Sequence, residues 1–314
     1  MIKAGIHGTT DTPNARDLVR LLLIHPDIQF MGFANEEHAG RPLWEDVFDI
    51  YGSTELRYAR SLDLSSLDVL FCLDAHRVPD EAIARLNTDP EFRLIVFPPA
   101  PGMPSAVEGN EKFVYGIPEL NRKAMVRGAR AVRLATAPAM ALLDAAFPIA
   151  RALMLPSSSD PLEVHVEGPA YDPARAARES EICLRAVQSS FGAPVHFQGP
   201  SAPAHSLRGM TGDMEIPCNI DDETLRNAYS EAYSDHNFAF LLPPGTELPT
   251  GAEDAPLAGC NKCFISLTHP EHGRIRLRAA IDPRMKGAVG NAIHCMNLLF
   301  GLHERTGLDL KPGE

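Results

Sequence analysis

The chain opens on an apolar run over residues 1–8 that ends in glycine, and residues 15–25 follow with leucine and valine along one helical face before Pro26 stops them. A strand, a turn and a helix are predicted in that order. Residues 28–34 read as a second strand. Residues 67–73, with Val69, Leu70 and Phe71 consecutive, read as a strand buried on both faces, because a parallel strand covered by helices has no solvent side to keep polar. A helix over 80–86 and a strand over 92–97 continue the alternation. Such alternation predicts a doubly wound, Rossmann-like α/β sheet of dinucleotide-binding type.

Prolines at 98, 99, 101 and 104 then impose a loop, since each removes a backbone donor. Residues 139–154, rich in alanine and leucine, predict a helix, and SSSDP after it is a breaker. Beyond it, strands are predicted over 162–166, 214–220, 263–268 and 275–281, with a helix over 222–233 capped by Asp221 or Asp222. Mixed strands and helices make this second part α+β.

A chain of 314 residues suits two domains. Hydrophobic residues at 45% and charged residues at 22% carry no sign of disorder. The formal net charge of −12 argues against nucleic acid or an anionic membrane as partner and leaves a small molecule or another protein. No secretory leader and no run of membrane-spanning length is read, and six cysteines at this length suit reduced thiols in a cytoplasm. Cys260 with Cys263, and His269 with His272, invite a zinc reading. A strand between the pairs would hold them about 20 Å apart, whereas zinc ligands lie within about 2.3 Å of the metal, so no metal is expected.

The stretch AIDPRMKGAVGNAIHCMNLLFGLHERTGL at 280–308 resembles the C-terminal end of N-acetyl-gamma-glutamyl-phosphate reductases, of the aspartate-semialdehyde dehydrogenase-like superfamily, as does VYGIPELNR at 114–122. The resemblance implies a Rossmann-like domain over 1–138, completed by 285–314 through a C-terminal helix over 287–300, and an α+β substrate and dimerisation domain over 139–284. It also implies reduction of an acyl phosphate by NADPH through a cysteine thiolate and a histidine. At those places this chain departs. The family's Asn-Pro-Gly-Cys turn corresponds to ATAPAMALL at 135–143, which sets Ala139 at the thiol, with no cysteine between Cys72 and Cys183. Its His-Arg-His-Thr-Pro-Glu-Ile segment corresponds to 176–182, which sets Arg178 or an alanine at the base. In the phosphate turn Gly5 and Gly8 remain, but Asp11 and Asn14 replace later glycines. Asp11 is expected to cap the first helix or to repel pyrophosphate.

From these departures the sequence is read as a reductase scaffold repurposed for non-redox chemistry on an acylated or amino-acid-derived carboxylate or phosphate, in a cytoplasmic homo-oligomer. The alternatives are a noncatalytic partner of a paralogous reductase or amino-acid kinase, and an NADPH-dependent reductase with an atypical site. His205 and Arg178 are the candidate catalytic residues, histidine as an acid or base and arginine as an anion clamp. Lys286, which matches a family lysine, and Asn261, Arg208 and His7 are the candidate substrate-binding residues. Gly5, Gly8, Thr9 and Thr10 are the vestigial cofactor turn, with NADPH binding expected to be weak or absent.

Overall fold

Strand and helix alternate from the first residues as β1 (Ile2–His7), α1 (Pro13–Ile24), β2 (Ile28–Ala34), β3 (Tyr58–Ala59), β4 (Val69–Cys72), α2 (Asp80–Thr88), β5 (Arg93–Val96), β6 (Phe113–Gly116), α3 (Pro118–Val126) and β7 (Ala131–Leu134). The structure, a computed structural model, describes residues 1–10, 12–157, 159–199, 209–248, 257–269 and 273–308. These strands form one parallel sheet in the order β3-β2-β1-β4-β5-β7-β6. The order reverses direction between β1 and β4, the switch point at which doubly wound sheets open a ligand crevice at the carboxyl ends of their strands. Val69, Leu70, Phe71 and Cys72 are all enclosed, as a strand covered on both faces requires.

The rest of the chain runs through α4 (Ala137–Arg151), β8 (Leu162–Glu167), α5 (Pro173–Val187), β9 (Val195–Gln198), β10 (Met210–Pro217), α6 (Asp222–Tyr233), β11 (Ala239–Leu241), β12 (Cys263–Thr268) and β13 (Arg274–Ile281) to α7 (Gly290–Leu299). Its sheet is mixed, in the order β11-β12-β13-β10-β8-β9. Strand β10 alternates: Met210, Gly212, Met214 and Ile216 face inward, while Asp213 and Glu215 face outward to pair with Arg274, Arg276 and Arg278 of β13. Against the inner face lies α4, flanked by α5 and α6. Residues 138–150 of α4 are buried all round, which explains why its sequence is apolar on every side.

The described residues divide into one compact unit of Met1–Leu134 joined by the stretch that begins at Asn291, and another within Ala135–Gly290. The C-terminal helix therefore belongs to the Rossmann-like unit. It is shorter than the predicted 287–300, because residues 285–289 form a π turn before it. Two close approaches require that turn: a Cβ on Gly287 would sit 2.6 Å from Ala137 Cβ, and one on Gly290 would sit 2.5 Å from Asn261 Oδ1. Widening the helix by one residue makes room that a regular turn lacks. The strand predicted over 214–220 begins earlier, at Met210, since its alternation extends back to that residue.

Candidate functional site

Two places in the fold gather polar groups, one in each unit. In the first unit Gly8 closes β1 with φ +137, and a Cβ there would lie 2.9 Å from Leu73 Cβ, so only glycine lets this turn pass β4. Helix α1 follows, with Pro13 in its first turn and Thr12 as its cap, the Thr12 hydroxyl accepting from the Ala15 amide at 3.2 Å. The cap expected of Asp11 is thus supplied by Thr12; Asp11 itself lies outside the described residues. Proline lacks an N–H and the Ala15 donor is engaged, so α1 offers fewer free amides to an anion than a glycine-rich turn would.

The turn is braced to the end of β2. The Asn35 amide donates to the Gly8 carbonyl at 2.9 Å, its Oδ1 accepts from the His38 amide at 2.9 Å, and the Thr10 hydroxyl meets His38 Nδ1 at 2.9 Å. Thr9 is exposed and Thr10 buried, while Gly5 is packed inside β1 against Leu62 and Leu67. His7 closes β1 opposite Cys72 of β4. Burial lowers the His7 pKa, a hydrogen bond to the Arg77 backbone opposing it, and burial pushes the Cys72 thiol up to about 12. Both side chains are therefore held neutral at physiological pH. A glycine turn at the switch point, braced to β2, followed by exposed Glu36 and Glu37, fits a dinucleotide whose ribose is met by carboxylates.

In the second unit the polar groups collect at the head of α4. The Glu179 carboxylate, 6% exposed on α5, accepts from the Thr136 amide at 2.8 Å and from its hydroxyl at 2.7 Å. A carboxylate is favoured there by the unpaired amides and dipole of the helix start. Ala139, one turn in, is fully enclosed and carries no thiol. Against the same helix lies the π turn, where Gly287 meets Ala137 and Lys286 Nζ stands 3.3 Å from Asp144 Oδ2, both side chains 0% exposed. The Asn261 side chain is 3% exposed, and neither its oxygen nor its nitrogen has a hydrogen-bond partner. A buried amide left in that state costs about 1–3 kcal/mol.

The structure thus brings Lys286 and Asn261 to the π turn beside α4 and keeps Gly5, Gly8, Thr9, Thr10 and His7 at the end of β1. Arg178 is exposed on α5, while its neighbour Glu179 turns inward. His205 and Arg208 lie outside the described residues, as does His272. Among the described residues no group of three or more His, Cys, Asp or Glu is arranged to hold a metal, and no helix is long and apolar enough to cross a membrane. Sequence reading passed over Thr136, Glu179, Glu36 and Glu37. Asp172-Pro173, which cap and start α5, made that helix detectable but not the meeting of Glu179 with Thr136.

No protein-family profile matches the chain. It is 31% identical to the N-acetyl-gamma-glutamyl-phosphate reductase of Parabacteroides distasonis over 334 residues, covering 99% of each chain, and 28% identical to that of Phocaeicola vulgatus over 342 residues, again 99% of each. Among solved structures it is similar to aspartate semialdehyde dehydrogenase with NADP from Candida albicans, at a TM-score of 0.70 and 13% identity over 96% of this chain and 98% of that one. Aspartate semialdehyde dehydrogenase II complexed with ASA from Vibrio cholerae gives 0.69 and 12% over 96% and 98%. These structures confirm the α/β fold. The sequence relatives overturn the expectation of a repurposed non-redox protein, and with it that of a noncatalytic partner: end-to-end relatives at 27–31% identity are reductases by name.

Proposed function

The chain belongs to the N-acetyl-gamma-glutamyl-phosphate reductase family, and on that premise we propose that it is a nicotinamide-dependent reductase acting on an N-acylated amino acid activated at its side-chain carboxyl group. The observation that carries the reading is Glu179, buried against the head of α4 and bonded to both the amide and the hydroxyl of Thr136. Gly8, Thr9 and the end of β2 would hold a nicotinamide dinucleotide, which when bound would supply the hydride by which acyl phosphate, hydride and a proton give aldehyde and hydrogen phosphate.

Ala139 and Arg178 stand, in this reading, where the family has its thiol and its histidine, so the turn works without covalent capture at residue 139. Glu179 holds the proton exchanged with phosphate and passes it through the Thr136 hydroxyl, a relay whose two oxygens are 2.7 Å apart. The Asn261 amide, with a free donor and a free acceptor, matches the N-acyl amide of the substrate, which offers one of each. Lys286, neutralised by Asp144, holds the π turn against α4. The same proposal takes a small anionic metabolite as partner, further copies of the chain as its assembly, and the cytoplasm as its place.

The test is phosphate-dependent oxidation of N-acetylglutamate semialdehyde by the purified chain, followed by nucleotide absorbance with NAD and with NADP. Turnover above a no-enzyme control, dependent on phosphate, is the expected result. Absence of turnover with both nucleotides overturns the reading.

A further inference from the structure

At the carboxyl end of β2 the chain runs Asn35, Glu36, Glu37, His38. In doubly wound sheets this end meets the adenosine ribose. A carboxylate there accepts from the ribose hydroxyls, whereas a 2′-phosphate calls for a cation. Asn35 is already engaged on both sides of its amide, with the Gly8 carbonyl and the His38 amide, and the His38 ring is engaged with Thr10. Glu36 and Glu37 are therefore the first side chains beyond β2 that stay exposed and uncommitted to the turn.

Two of the nearby cations are already engaged. Arg41 is bonded to Glu45 at 3.0 Å and to Asp46 at 3.1 Å, and Arg57 donates to the Gly40 carbonyl at 2.8 Å. Arg16, exposed on the first turn of α1, and Arg60, exposed just past β3, are the remaining arginines near this end of the sheet, and neither follows β2 directly as Glu36 and Glu37 do. The first turn of α1 adds little to hold extra phosphate, because Pro13 has no N–H and Thr12 occupies the Ala15 donor.

Resting on the reductase reading above, we propose that the nucleotide this chain takes is NAD(H), with Glu36 accepting from the ribose hydroxyls and Glu36 and Glu37 together turning away the 2′-phosphate of NADP(H). Repulsion at partly exposed sites is moderate, so the expected preference is about tenfold or more, which is about 1.4 kcal/mol.

The experiment titrates the full chain into NADH and into NADPH and follows nucleotide fluorescence, for the natural sequence and for Glu36→Arg. The expected result is tighter binding of NADH by about tenfold or more, with the order reversed in Glu36→Arg at an unchanged melting temperature. NADPH bound as tightly as NADH, or more tightly, overturns the NAD(H) assignment and leaves the reductase reading standing. Binding of neither nucleotide at millimolar concentration overturns both.

Discussion

Along residues 280–308 every buried polar side chain has a partner inside the chain. Asp282 accepts from the amides of Gly259 and Arg284, Asn291 donates to the Gly116 carbonyl at 2.6 Å, and Asn297 donates to the carbonyls of Glu304 and Thr306. Glu304 also takes His294 at 2.8 Å and Arg122 at 2.5 Å. The β1–α1 turn and the head of α4 are built differently. There Asn261 is buried with neither polar atom answered, and Glu36 and Glu37 project from the end of β2. The first stretch is the one whose sequence resembles the family, and the others are where departures from it are expected. Side chains that answer one another are hard to change singly, since one substitution leaves a buried donor or acceptor unmatched. Side chains that answer a ligand can change with the ligand. Strong resemblance in 280–308 therefore speaks for the scaffold, and the chemistry has to be read from the groups left open.

The largest expected effect tests whether the closed network is as rigid as its contacts imply. Asp144→Ala leaves Lys286 enclosed without its carboxylate, and should cost about 3–5 kcal/mol in urea unfolding, most of it recovered by adding Lys286→Met. A loss below about 1 kcal/mol would show that the pair is not structural, and the contrast with the open groups would fail.

The next effect falls on rate. Glu179→Gln keeps a hydrogen bond to Thr136 but cannot hold a proton, and should lower turnover about a hundredfold while shifting stability by less than about 1 kcal/mol. Thr136→Val should do the same. Arg178→Ala, at the exposed neighbour, should leave turnover within about twofold by the rule for exposed side chains away from a site. Equal losses from Arg178→Ala and Glu179→Gln would return the role to the arginine.

That contrast also marks how far the sequence could be read. Strand β2 and helix α6 lie where their residues predict, because each combines a clean period with a sharp boundary such as Pro26 or Asp221. Helix α5 escaped notice since its buried face includes Glu179 and Ser180, polar residues that blur an apolar stripe. The Thr136 and Glu179 pair escaped for a different reason: the residues are far apart in sequence, and their meeting depends on how α5 packs on α4. Lys286 was legible as a matched position. That it faces Asp144 rather than open solvent follows only from the π turn, which no local pattern announces.

Gly287→Ala probes that turn directly. The added methyl would meet Ala137 at 2.6 Å and its Cα at 3.2 Å, backbone-linked atoms that cannot swing aside. Overpacking of this kind costs about 1–3 kcal/mol, and chemical denaturation of the single variant measures it. Gly102→Ala, where nothing lies within 4 Å but φ is +78, should cost only the strain of a left-handed backbone, about 1 kcal/mol. If the two variants lose equal stability, the close approach at α4 carries no special weight.

The smallest effect is a pH dependence seated at His25, 3% exposed and enclosed by the closed network. Its Nδ1 accepts from the Asp27 amide at 3.2 Å, so the ring proton belongs on Nε2, which stands 3.1 Å from Asn297 Oδ1. A second proton has no place on a nitrogen already facing an N–H, and burial is the larger cause lowering the pKa, with Asn297 and Asp27 opposing it. Above the ordinary value of 6.5 the folded and unfolded forms are both neutral and the residue adds no pH dependence. Below it the unfolded chain takes up a proton that the folded chain refuses, so stability falls with pH until the lowered folded value is reached. The slope is at most about 1.4 kcal/mol per pH unit for one histidine. Comparing urea midpoints at pH 7.5 and 5.5 for the natural chain and for His25→Gln should show the natural chain losing more on acidification. Parallel losses would mean that the ring is protonated in the folded state, and that this part of the network opens to water after all.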